Sequence, residues 1–201
     1  MRGTCWLVFG AVWLAPAAAR ADWIVGVRSG YAFALGDRNA SAPMSDLVPG
    51  QIPIQLDLGH RFGKLTVGAY GSYGFGPVSG AAKTSCHDPG RECASTSLRV
   101  GGQAAYAFAR PLEPMSPWIG LGAGYESITL EPETVSGIEW LVLQGGFDWR
   151  FGTGGSMGAF ASLSFGTYTN IEGGGRSGAL VDRRVHEWVT LGLRGTFAFG
   201  S

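Results

Sequence analysis

Apolar residues alternate with small or polar ones, at a period of two, through eight stretches of the chain. Trp23 to Gly36 sets Trp23, Val25, Val27, Tyr31, Phe33 and Leu35 against Gly26, Arg28, Gly30, Ala32 and Ala34. The same two-faced pattern recurs over Gln51 to Phe62, Lys64 to Gly76, Ser97 to Ala109, Pro117 to Thr129, Ile138 to Phe151 and Ser156 to Thr169. It returns in a last stretch from about His186, where Val189, Leu191, Leu193, Phe197 and Phe199 oppose Thr190, Gly192, Arg194 and Thr196. A period of two is that of a β-strand with unlike faces, so the pattern predicts an all-β chain of eight strands.

The connectors alternate in length. Asp37 to Gly50, Pro77 to Thr96, Leu130 to Gly137 and Asn170 to Val185 are long; Gly63, Arg110 to Ser116 and Gly152 to Gly155 are shorter. Short turns at one end, long loops at the other and both termini on the short side describe an antiparallel up-and-down barrel. A long loop hiding a further hairpin would make it ten-stranded.

The composition of the faces decides which one meets solvent. A water-facing exterior is normally rich in Lys and Glu, yet the non-oily face here is Gly, Ala and Ser with isolated charges, and Lys occurs only at Lys64 and Lys83. The oily face therefore points outward to lipid and the small residues fill a narrow lumen. Aromatics gather toward the strand ends, Phe108, Trp149, Phe151, Phe197 and Phe199 at one and Tyr31, Phe33, Tyr73, Phe75 and Tyr125 at the other, as interfacial girdles do. The 34 glycines have no collagen period and suit a crowded barrel wall.

Residues 1–21 form a basic start, an apolar run from Cys5 to Leu14 and a small-residue exit, Ala19-Arg20-Ala21. That is the order of a cleavable signal peptide, and the run is too short for a membrane-spanning helix. The mature domain is expected to begin at Asp22 and run to Ser201. Loss of Arg2 and Arg20 leaves 13 basic against 15 acidic residues, a balance without attraction for nucleic acid.

With the export signal, the eight two-faced segments and the amphipathic last strand in place, the chain resembles the small outer-membrane barrels, the transmembrane domain of OmpA and its eight-stranded relatives. The resemblance implies an integral, monomeric outer-membrane protein of a Gram-negative bacterium, surrounded by lipid and lipopolysaccharide; because the sequence stops at the last strand, the soluble peptidoglycan-binding domain that some relatives append is not expected here. Relatives of that family usually end on an aromatic residue read by the outer-membrane assembly machinery. In this chain Phe197 and Phe199 are the terminal-strand aromatics, and Gly200 and Ser201 follow them.

Candidate chemistry is sparse. Cys86 and Cys93 flank a Pro-Gly turn in SCHDPGREC, and in an exported chain they are expected to form a disulfide. Cys86, His87 and Cys93 lack a fourth ligand for zinc. GLGAG (Gly120 to Gly124) and FGTGGS match no phosphate-loop pattern. No histidine stands beside a serine as a lipid A-modifying enzyme would need; His60 and His186 are read as interfacial or loop residues. The content lies in the charges on the lumen side: Arg28, Asp57, Arg61, Arg99, Glu126, Asp148, Arg150 and Arg194. Arg28 with Asp57, and Arg99 with Glu126, are expected to pair across neighbouring strands. Buried ions persist when paired, so the network reads as a structural plug, and no cofactor or metal is implied. The function expected is a structural or surface-adhesive role of the loops, with a small-solute channel and a lipid A-modifying enzyme as alternatives.

Overall fold

The computed structural model describes residues 21–39, 42–79, 94–109, 113–131, 133–152, 154–173, 175–180 and 184–200. Eight long strands form the wall: β1 (Ala21–Asn39), β3 (Gly50–Phe62), β4 (Leu65–Pro77), β5 (Ala94–Ala107), β6 (Met115–Leu130), β7 (Glu133–Phe151), β8 (Gly155–Gly173) and β10 (Val185–Phe199). Each pairs antiparallel with the next along the chain, and β10 closes the circle on β1 from Trp23↔Phe199 to Gly36↔His186. Closure satisfies the backbone of every wall strand and leaves no edge, the condition for a sheet to cross a bilayer. Two short strands, β2 (Ala42–Pro43) and β9 (Arg176–Ala179), are extensions paired only to β1 and β8 respectively, so the barrel has eight staves and not ten.

The two faces fall as the alternation predicts. Leu193 is 63 % exposed, Leu56 60 % and Leu121 59 %, while Arg28 is 6 % and Glu126 0 % exposed. Each large apolar side chain left in water forgoes roughly 1.5–3 kcal/mol, so an exterior built of them requires lipid. No described helix is long and apolar enough to span a membrane; the strands do the crossing.

Two of the long connectors expected from sequence are largely strand. Leu130 to Gly137 is a tight hairpin in which Leu130 pairs with Glu133 and the Thr129 and Thr134 hydroxyls meet at 3.1 Å. Asn170 to Val185 begins as a continuation of β8 to Gly173, against which β9 folds back. Thr129, Thr134, Val135 and Ile171 are β-branched, and that preference carries the ladder on beyond the apolar belt.

The outer mouth is roofed. The segment joining β1 to β3 turns through Met44–Asp46, with the Val48 amide bonded to the Met44 carbonyl at 2.9 Å. Met44 and Val48 are thereby fully buried on Trp188, Tyr168, Ile128 and Val135 from the extended strand ends. The Ser79 amide donates to the Leu47 carbonyl at 2.9 Å, tying this roof to the chain beyond β4.

Candidate functional site

Below the roof, inward residues meet in three tiers. In the uppermost, Arg99 of β5 bonds Glu126 of β6 at 2.8 Å and approaches Glu139 of β7 at 3.4 Å. The Tyr70 hydroxyl donates to Glu139 at 2.7 Å, and His186 Nε2 lies 2.7 Å from the second Glu126 oxygen. The His186 ring stacks on Tyr168 at 3.9 Å, and the Arg99 guanidinium lies 4.9 Å from the Trp188 ring centroid. These residues come from six consecutive staves, β4 to β8 and β10, so the tier spans most of the circumference.

The middle tier crosses the axis. Arg28 Nε donates to Asp57 at 2.7 Å, while its terminal nitrogens reach Gln144 and Gln103 on the far wall. Gln55 and Gln103 each donate to Asp57 at 2.8 Å, and Gln144 donates to Gln103 at 3.0 Å. Phe160 closes the remaining side, its ring 5.5 Å from the Arg28 guanidinium. All guanidinium nitrogens of Arg28 and both Asp57 oxygens have partners, the satisfaction a buried ion needs.

The lowest tier lies near the short-turn end. Arg194 forms a two-point ion pair with Asp148 and lies 3.5 Å from the Trp118 ring centroid. Arg61 pairs with Asp22 at 2.9 Å. Arg150 stands close by without an ion pair to either.

Glycine makes these spans possible. Gly158 of β8 sits in register between Asp148 of β7 and Arg194 of β10. A Cβ there would lie 2.7 Å from the Asp148 carboxylate and would strike the Phe147 carbonyl, so only glycine lets the pair close across it. Gly101 and Gly124, cross-strand partners on β5 and β6, form the flat ground over which Tyr70 reaches Glu139, each leaving its missing Cβ 2.7 Å from the tyrosine ring or hydroxyl. The GLGAG stretch is part of that platform.

The structure thus brings Arg28 to Asp57 and Arg99 to Glu126, joins Arg194 to Asp148, and sets Arg61 and Arg150 at the lower mouth. Phe197 and Phe199 lie on the exterior of β10. Cys86 and Cys93 fall outside the described residues. Two residues depart from the sequence reading. His186 is no loop or interfacial residue: it is 1 % exposed, held by Glu126 under the roof. Glu139 sits by simple alternation with Leu141 and Leu143 on the lipid side, but an irregularity in β7 between Glu139 and Leu141 shifts the register, turning Trp140 outward and Glu139 in. Tyr70, by contrast, could be read as inward from its even position between Gly68 and Ser72, and Trp188 from its even position on the Thr190 and Arg194 face.

Closed up-and-down topology, an apolar exterior and a polar, side-chain-filled lumen define an integral outer-membrane β-barrel of the small eight-stranded class. No protein-family model matches the chain, and no curated protein matches it by sequence. Among solved structures it is similar to Neisserial surface protein A (TM-score 0.54, 12 % identity, covering 87 % of this chain and 97 % of that one). It is also similar to the outer membrane protein OprG from Pseudomonas aeruginosa (TM-score 0.53, 14 % identity, covering 91 % of this chain and 98 % of that one). At such identities the likeness is one of fold.

Proposed function

We propose that this protein is exported by a cleaved signal, residues 1–21, and works as a monomeric, non-enzymatic barrel whose lumen is sealed. Its role is structural or surface-adhesive, carried by the hairpins above the outer mouth and by the lipid-facing wall, with lipopolysaccharide as its neighbour and the assembly machinery reading the terminal strand with Phe197 and Phe199. The observation that carries the reading is the stacking of two cross-lumen side-chain networks beneath an apolar roof, one centred on Arg28 and the other on Arg99 and Glu126. A conducting path would have to break both.

The small-solute channel is the second reading, favoured by the open cavity at the lower end of the lumen. Support for a lipid A-modifying enzyme is weaker. His186 bonds a carboxylate and stacks on Tyr168 under the roof, away from the wall where a lipid would lie. Single-channel recording in planar bilayers separates the first two: the sealed barrel is silent, and steady openings in the native protein would instead establish the channel.

A further inference from the structure

The lower end of the lumen is a cavity of about 820 Å³, floored by Arg28, Asp57 and Gln103 and reaching the short-turn mouth at Gly152 and Gly200. That volume falls within the roughly 300–1,000 Å³ of small-molecule sites. Short turns lie on the periplasmic side in this class, so the cavity opens to the periplasm.

Its charges do not balance. Four arginines line it against three aspartates. Arg28 is paired with Asp57, Arg194 with Asp148 and Arg61 with Asp22, which among the described residues leaves Arg150 as the surplus cation. Arg61 on β3 and Arg150 on β7 come from opposite walls, four staves apart, and both line this cavity. Asp148 and the exposed Glu113 draw on Arg150, but Asp148 is already engaged by both Arg194 nitrogens. Hydroxyls flank both arginines: Thr66 is the cross-strand partner of Arg61, and Ser156 that of Arg150. Two guanidinium groups from opposite walls lining one hydroxyl-bearing cavity are suited to an anion with several oxygens in a tetrahedral arrangement.

We propose that this periplasmic vestibule is a binding site for a phosphate-bearing anion, gripped between Arg150 and Arg61. The site stands whether or not the tiers above it conduct, so its test is independent of the sealed-barrel reading. The chemistry fits either a soluble phosphate compound or the headgroup of an inner-leaflet phospholipid bent into the mouth.

Titration calorimetry of the full chain with inorganic diphosphate, in nanodiscs of neutral phosphatidylcholine, is the test. The native protein should show saturable one-to-one binding. Arg150→Gln should weaken it at least tenfold, and Arg150→Lys, which keeps the charge but loses the fork, less. Lys64→Gln, a cation at the same end but outside the cavity, should leave it unchanged. Repeating the titration in phosphatidylglycerol nanodiscs assigns the source: equal affinity means a soluble anion, and several-fold weaker apparent affinity means that the lipid headgroup competes for the site. Absence of saturable binding to the native protein, or equal losses in the Arg150 and Lys64 variants, would overturn the proposal.

Discussion

Glu126 illustrates how the lumen holds its ions. It is fully buried, yet one oxygen takes Arg99 and the other His186. Removing one partner of a buried pair costs about 3–5 kcal/mol when the other charge is stranded. Here Arg99 keeps Glu139 at 3.4 Å, so Glu126→Ala should cost less, about 2 kcal/mol by the same reasoning. Urea unfolding in detergent checks it, and an unchanged midpoint would show that the pair contributes nothing. Gly158→Ala is expected to be the more damaging of the two, because its Cβ meets backbone that cannot rotate away and breaks the Asp148–Arg194 span. A folded variant with native stability would contradict that role. The Arg99–Glu126 and Arg28–Asp57 pairs were legible because strand parity is strict and both partners sat on uninterrupted strands. Glu139 was not legible, since its inward turn depends on an irregularity that alternation does not reveal. His186 escaped for another reason: a histidine at a strand end reads as a terminus, and only the folded roof shows that the strand end is interior.

At the level of elements, the strands in the apolar belt follow from pattern, whereas their extensions do not. β7 and β8 each run 19 residues, beyond the stretch whose outward face is oily, and the extra length carries Val135, Tyr168 and Ile171 up to meet Met44 and Val48. No local signal marks Met44 as a roof residue; its burial is a tertiary fact. Met44→Asp places a charge in that apolar cluster at a full desolvation cost. It should expel the Met44–Val48 segment and make it a target for added protease, while the barrel wall stays intact. Equal protease resistance of variant and native protein would mean that the roof is not what holds the segment. Cys86 and Cys93, which fall between β4 and β5 in the sequence, are expected to resist alkylation until reduced.

For the whole molecule the arrangement is asymmetric along its axis: an apolar roof outside, two cross-lumen networks beneath it, and a polar vestibule facing the periplasm. The barrel, its inside-out apolarity and its membrane setting could all be read from the eight alternating segments. The vertical order of the tiers could not, because the stagger of one strand against the next sets it and sequence does not display stagger. The central claim is that the lumen is closed to the outside and open only below. Thiol accessibility tests it most directly, in a chain with Cys86 and Cys93 replaced by serine. Thr66→Cys, in the vestibule wall, should react with a maleimide too large for general porins only after the outer membrane is permeabilised. Ser97→Cys, buried at the Gln51 side chain between network and roof, should react from neither side. Labelling of Thr66→Cys in intact cells by a small polar maleimide, under conditions in which periplasmic control thiols remain unlabelled, would show an open path from the outside and contradict the sealed barrel.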